Sequence, residues 1–336
     1  MLALIPYRLL VTLVTFSCLA AFATSVPAQE SDPIAAVSSE GLTQTLTPVP
    51  RRFAMPAPGD SLIGELDVVS VGSSDTLADI TANHRLGYNL VRSANPNVDA
   101  WLPEENSQVI IPGQAILPQA DHEGLVINVA EMRLYQFSQN GADGKATVGV
   151  YPISVGRGDW QTPMTETKIT GRVKDPTWYP PASIRREHAE KGDPLPSKVP
   201  PGPDNPLGEY LLMLDIPSYF IHGTNKKFGI GMQVTHGCIR MYAEDIEYLA
   251  KTVPKHTPVR IINQRVKIGW AQDTLYLEVH PTLEGDERPL KLADVVKAVV
   301  TATKTRPETI INWPRIEEAT KQAIGLPIKV GELPQA

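Results

Sequence analysis

Cysteine is almost absent from these 336 residues: there are two, Cys18 and Cys238. Cys18 falls in an N-terminal apolar run that reads as a removable export signal, which leaves Cys238 without a partner in the mature chain. A disulfide framework is thereby excluded, and a lone thiol in an oxidising compartment is either buried and inert or kept for chemistry. Runs of Lys and Arg are missing too, and 31 basic against 37 acidic residues give a net charge of -6. That balance argues against a nucleic-acid partner and against a basic membrane-binding patch. After Phe22 no apolar stretch approaches the roughly 20 residues of a spanning helix, so no transmembrane segment is expected once the signal is cleaved. Internal repeats and low-complexity arrays are not found. What remains, 42% apolar and 20% charged, is globular composition in a chain long enough for two or three domains.

The chain opens with Arg8, an apolar run of 14 residues from Leu9 to Phe22, and a Val26-Pro-Ala28 cleavage pattern. This predicts a secretory signal peptide over 1–28 and an exported protein, which the family resemblance described below places in the periplasm. Residues 29–63, rich in Ser, Thr, Pro and Ala, read as a linker. Residues 64–118 read as a compact unit: a strand at Leu66–Val71, a helix at Asp75–His84 capped by Ser74 or Asp75, a short helix at Asn89–Ala94 and a strand at Gln108–Pro112. This βααβ order resembles a LysM module, as do Ser74-Asp-Thr-Leu-Ala-Asp-Ile80, Ala94-Asn-Pro-Asn-Val98 and Val109-Ile-Ile-Pro112. The resemblance implies contact with glycan chains containing N-acetylglucosamine. Ser73-Ser-Asp-Thr76 departs from the usual Pro-Gly-Asp-Thr turn, and a small packing domain without a ligand is the competing reading.

From Gly124 short alternating strands take over: Leu125–Val129, Met132–Phe137, Thr147–Val155 and Thr165–Thr170. They predict a mainly β, antiparallel domain that closes as a sandwich or small barrel. Nine prolines then fall between Pro176 and Pro206, around a helix-compatible piece at Pro181–Glu190. An irregular insertion of this length is usually functional, and its position makes it a candidate lid. Strands at Tyr210–Leu214, Tyr219–His222 and Pro258–Ile262 and an amphipathic helix at Ala243–Lys251 complete the domain. Residues 264–336 read as an accessory α/β extension with a strand at Thr274–Val279 and helices at 290–303 and 315–325.

The stretch 221–241 concentrates the chemistry, with His222, His236, Cys238 and four glycines. A thiol that transfers acyl groups needs a base, an orienter for the base and donors for the developing oxyanion. Cys238 is the candidate nucleophile, and the backbone N–H groups of Gly237 and Cys238 are candidate donors. His222, at a strand end, is placed to face the thiol across a hairpin-like loop and is the candidate base. His236, two residues from Cys238, is either a supporting group or a structural one. Arg240 can hold a substrate carboxylate with its planar fork, or it can pair with Glu244 or Asp245. Trp160, Trp178 and Tyr179 line a peptide cleft or belong to the core. A zinc site built on His222, His236 and Cys238 lacks a fourth ligand, so neither metal nor cofactor is expected.

Ile221-His-Gly-Thr224, Gly229-Ile-Gly-Met232 and Thr235-His-Gly-Cys-Ile-Arg-Met241 resemble the signature of the L,D-transpeptidases of the YkuD family, in the subgroup that attaches Braun lipoprotein to peptidoglycan. Gly156-Arg-Gly-Asp-Trp-Gln-Thr-Pro163 and Asn205-Pro-Leu-Gly-Glu-Tyr210 match further stretches of that family, and the likeness spans residues 122–263. It implies a β-sandwich catalytic domain in which Cys238 attacks the bond between meso-diaminopimelate and D-alanine of a tetrapeptide stem, with His222 as base and the Gly223 carbonyl orienting it. An amine then takes the acyl group: a second diaminopimelate, giving a 3-3 cross-link, or the C-terminal lysine of an outer-membrane lipoprotein. A hydrolase on the same scaffold, an L,D-carboxypeptidase that uses water, is the alternative. Thr224 and Thr235, the latter in place of the motif's usual Ser, join Gly237 and Arg240 as expected substrate-side residues. The expected partners are peptidoglycan stem peptides, their glycan and a Braun-type lipoprotein.

Overall fold

The computed structural model of the protein describes residues 51–139, 144–226 and 228–334. The expected signal peptide and residues 29–50 of the expected linker lie outside the described residues. Within the stretch read as linker, β1 (Arg52–Ala54) adds antiparallel to the strand Thr147–Gly156. Then come β2 (Leu62–Ile63), β3 (Leu66–Ser70), α1 (Leu77–Asn83), α2 (Tyr88–Ala94), β4 (Gln108–Pro112) and β5 (Ala115–Ile116). β3 and β4 pair antiparallel with Val68 opposite Ile110. Leu77, Ile80, Leu86 and Val91 pack on Val109 and Ile111 to make a separate small core. The cap of α1 is Thr76, just beyond the expected Ser74 or Asp75. Its hydroxyl accepts the Asp79 N–H at 3.1 Å while the Asp79 carboxylate accepts the Thr76 N–H, a reciprocal capping box.

The body comprises β6 (Leu125–Asn128), β7 (Arg133–Ser138), β8 (Thr147–Gly156), β9 (Thr165–Lys174), α3 (Ala182–Glu190), β10 (Tyr210–Leu214), β11 (Phe220–His222), β12 (Gln233–Thr235), β13 (Ile239–Met241), α4 (Ala243–Thr252) and β14 (Pro258–Ile262). Its strands run in the order β8, β13, β11, β10, β9, β14, β6, β7, and β7 pairs back onto β8, so the sheet closes on itself. Leu125, Ile127, Leu134, Ile153, Leu212, Ile221 and Ile239 fill one side with Ile246 and Leu249 of α4. Val126, Tyr135 and Val148 face the other way and are covered by Ile63, Ala115 and Leu117. Burial of both faces explains the unbroken apolar run Leu125–Ile127 in β6. Three pairs, β11–β13, β12–β8 and β14–β6, are parallel, where sequence alternation pointed to antiparallel pairing throughout. A parallel pair needs a long crossover, and the connection 223–238 supplies it between β11 and β13.

The extension holds β15 (Val266–Ala271), β16 (Thr274–Val279), α5 (Leu292–Ala302), β17 (Ile310–Ile311), α6 (Trp313–Gln322) and β18 (Ile328–Glu332). Its sheet is ordered β15, β16, β18, β17, and Val295, Val299 and Ile316 of the helices pack on Leu275, Leu277 and Val330. A buried polar network joins it to the body. Lys267 Nζ lies 2.6 Å from Glu131 Oε2, 2.9 Å from Glu278 Oε1 and 2.7 Å from the Ile116 carbonyl. Arg133 lies 3.3 Å from both carboxylates, and His280 Nε2 lies 2.7 Å from Glu278. Among the described residues no helix is long and apolar enough to cross a membrane.

Candidate active site

The parallel pairing of β11 with β13 sets Ile221 opposite Ile239 and His222 opposite Arg240. Cys238, the residue before β13, therefore lies beside the start of β11, and strand pairing rather than a hairpin sets the segments of Cys238 and His222 side by side. The half-buried thiol donates to the Ser218 carbonyl at 3.6 Å. Burial pushes its pKa up, and the Phe220 N–H facing the sulfur offsets part of the shift.

His222 is buried, and its Nδ1–H donates to the Gly223 carbonyl at 2.7 Å, which leaves Nε2 as the basic nitrogen. Burial lowers its pKa and the Gly223 carbonyl holds it up. The Arg240 guanidinium lowers it again and the Leu207 carbonyl opposes, for a net value of about 4. At neutral pH the imidazole is thus uncharged and the thiol protonated. A thiol in that state becomes a nucleophile only by giving its proton to a base.

The loop around the thiol is braced by hydroxyls. Thr235 Oγ1 donates to the Cys238 carbonyl at 2.6 Å and accepts the Gly237 N–H at 3.2 Å. Thr162 Oγ1 donates to the Gly237 carbonyl at 2.9 Å and accepts the Gly156 N–H at 3.0 Å. Gly237 has φ of +98°, and a Cβ there would stand 2.8 Å from Tyr219 Cε1, so the position admits glycine only. Thr235 is buried with its hydroxyl committed to this loop, and Gly237 spends its N–H on the same hydroxyl. Thr224 Oγ1 accepts the Lys226 N–H at 3.0 Å in the adjoining turn.

Arg240 does not pair with Glu244 or Asp245. Asp245 is engaged by Arg85, and Arg51 lies 3.9 Å from it. Arg240 Nη2 instead donates to the Gly229 carbonyl at 2.9 Å, and its buried Nε has no partner. Burial pulls its pKa down, so a cation with one donor to spare sits beside the imidazole. The Gly229–Met232 segment is held from behind: Tyr88 N–H donates to the Ile230 carbonyl at 2.8 Å, and a Cβ on Gly231 (φ +83°) would fall 2.3 Å from Gly87 Cα.

His236 belongs to a different environment. Its Nε2 is 2.9 Å from Glu187 Oε2, and the Trp160 ring meets it edge-on at 5.2 Å between centroids. Trp178 instead pairs with Val199 inside the proline-rich insertion, and Tyr179 is exposed. Glu187 takes part in the site without having been marked by the sequence, while Thr162 and Leu207 fall in stretches matched to the family but were given no role there. They come from segments well upstream of the thiol, and no spacing rule links them to it. Among the described residues, Glu131, Glu278 and His280 form the one group with metal-like geometry, and the Lys267 ammonium already occupies the cation's place.

Sequence comparison finds known proteins alike over most of the chain. The family described as YkuD, L,D-transpeptidase catalytic domain, matches residues 122–261. "Probable L,D-transpeptidase YbiS" of Escherichia coli strain K12 is 38% identical over 287 residues, 83% of this chain and 91% of that protein. "Probable L,D-transpeptidase ErfK/SrfK" of Salmonella typhimurium strain LT2 is 37% identical over 290 residues, 83% of this chain and 90% of that protein. The crystal structure of L,D-transpeptidase 3 from Mycobacterium tuberculosis aligns over 60% of this chain and 92% of its own at 15% identity and a TM-score of 0.30.

Proposed function

Because this chain belongs to the L,D-transpeptidase family and carries its YkuD catalytic domain, we propose that this enzyme acts in the periplasm on peptidoglycan, with Cys238 as nucleophile and His222 as base. The sulfur attacks the carbonyl carbon of diaminopimelate in a tetrapeptide stem, and the thiol proton passes to His222 Nε2. The C–N bond to D-alanine breaks, the imidazolium returns the proton to the leaving amine, and a thioester remains. An incoming amine forms the new C–N bond and the sulfur leaves. Its acceptor is a second diaminopimelate or the terminal lysine of a Braun-type lipoprotein.

The observation that supports this reading is the state of His222: a buried, uncharged ring whose Nδ1–H donates to the Gly223 carbonyl at 2.7 Å, at the end of the strand that pairs with the one Cys238 precedes. Arg240, with a buried Nε to spare, is the group for a stem carboxylate. Thr235 and Gly237 shape the loop that presents the thiol, and Thr224 is read as a further substrate-side residue. The unit over 64–118 is read as a LysM-type module that holds the glycan, and 1–28 as the export signal. Transfer to water, releasing D-alanine or a lipoprotein without a cross-link, is the second reading. The test is muropeptide analysis of a deletion strain complemented with wild type or Cys238→Ala. Only wild type is expected to restore 3-3 cross-links or anchored lipoprotein, and restoration by the variant would refute the assignment.

A further inference from the structure

The segment 175–206 is closed at its root and thinly anchored at its far end. At the root, the fully buried Asn205 donates to the Pro176 carbonyl at 2.7 Å and the Pro200 carbonyl at 3.2 Å, and Asp175 N–H donates to the Glu209 carbonyl at 2.7 Å. Helix α3 carries one buried apolar side chain, Ile184. A single aliphatic anchor is a weak hold for a helix of nine residues. The other attachment is polar and runs through one residue. Glu187 Oε2 accepts from Arg157 Nη2 at 2.6 Å and lies 2.9 Å from His236 Nε2, while Lys191 Nζ lies 2.6 Å from Oε1. Arg157 and His236 belong to the two loops that flank the thiol. Arg157 N–H donates to the Thr235 carbonyl at 3.1 Å, and His236 is two residues from Cys238. These partners hold the Glu187 carboxyl well below the usual carboxylate range, Arg157 most of all, so the contact persists as an ionised one.

We propose that Glu187 is a positioning residue which latches helix α3 over the nucleophile and thereby decides whether amine or water collects the acyl group. The inference rests on the transpeptidase reading above. In the thioester state, an amine attack forms C–N and breaks C–S, with the amine's surplus proton taken by His222 and returned to the sulfur. A water attack forms C–O, breaks C–S and routes its proton the same way, leaving a carboxylate. Both share one electrophile and one base, so the partition depends on which nucleophile reaches the carbonyl. A latched helix excludes bulk water and admits an acceptor peptide that is itself bound and oriented. The latch also assigns His236: it ties the nucleophile loop to the lid, which leaves His222 as the base.

The experiment uses the purified protein with a disaccharide-tetrapeptide donor at a fixed concentration and a diaminopimelate-containing stem as acceptor. The ratio of hydrolysed tripeptide to cross-linked product is read for wild type, Glu187→Gln and Ile184→Ala, alongside the rate of D-alanine release. Both variants are expected to raise that ratio by about fivefold or more while D-alanine release falls less. Lys191→Ala, which weakens the latch from the solvent side, is expected to raise it by a smaller factor. An unchanged ratio in Glu187→Gln, or an equal fall of both products, overturns the latch. Wild type that yields neither product refutes the transpeptidase reading itself, so the two failures are told apart.

Discussion

One group of buried polar side chains lies between body and extension and another at the thiol, and they obey opposite rules. In the first, the side chains of Glu131, Glu278 and Lys267 are wholly buried and each has charged and neutral partners. Glu131 also accepts from Tyr135 at 2.8 Å and Asn128 at 2.7 Å, and Glu278 accepts the Ile116 N–H at 2.7 Å. Burial alone would push the Glu278 carboxyl up, but Lys267, His280 and Arg133 overcome it and the group stays ionised. In the second, compensation is withheld. The thiol is pushed up, the imidazole is pushed down, and Arg240 keeps an unpartnered donor. A satisfied network contributes rigidity and a unique arrangement, whereas an unsatisfied one is primed to accept a substrate that completes it. The two clusters differ in this respect although both are rich in titratable groups.

The comparison can be broken most severely at the nucleophile. Cys238→Ala should lower product formation by about 10⁴-fold or more while shifting unfolding free energy by less than about 1 kcal/mol, read by turnover and by denaturant unfolding. Lys267→Met inverts that pattern. It leaves two buried carboxylates facing each other without the central cation, and breaking one side of such a network costs about 3–5 kcal/mol. Stability should fall by that amount, and activity per folded molecule should change little. Activity lost at unchanged stability would show that the network serves the site directly.

How much of this could be read before the fold was known varies with the cause. The composition of each strand and its approximate limits were legible: Pro258–Ile262 and Thr274–Val279 fall where alternation put them. Parallel pairing was not, because alternation within a strand carries no information about its neighbour's direction. β15, β17 and β18 were missed: β17 is a two-residue edge strand, and Val266–Ala271 contains Lys267, whose burial follows from partners such as Glu131, far away in the chain. At the site, Cys238, His222 and Arg240 stand out because their residue types are chemically unusual in that spacing. Glu187 does not, because one acidic residue on a short polar helix looks like any solvated face, and its meaning comes only from where Arg157 and His236 are folded. Of the two alternatives open for Arg240, pairing with Glu244 or Asp245 is not the one found, as Arg51 and Arg85 lie at the Asp245 carboxylate.

Two smaller effects sharpen the contrast. His222 has a folded pKa of about 4 against about 6.5 for a free imidazole, so the unfolded chain binds more protons between those values. The stability this contributes is fully present above about pH 6.5 and is lost as pH falls toward 4, amounting to roughly 3 kcal/mol, and His222→Gln should flatten the stability profile across that window. The acid limb of activity should likewise fall near pH 4; a limb near 6.5 would mean that the ring is solvated in the working enzyme. The mildest change is Arg240→Lys. A lysine keeps the positive charge but loses the fork, and so cannot reach the Gly229 carbonyl and a stem carboxylate with separate planar donors. KM for the donor should rise about tenfold, the equivalent of about 1.4 kcal/mol, with kcat changed less. If kcat falls instead and KM holds, Arg240 acts on the imidazole it flanks, and the spare Nε donor is part of the base rather than of the substrate's berth.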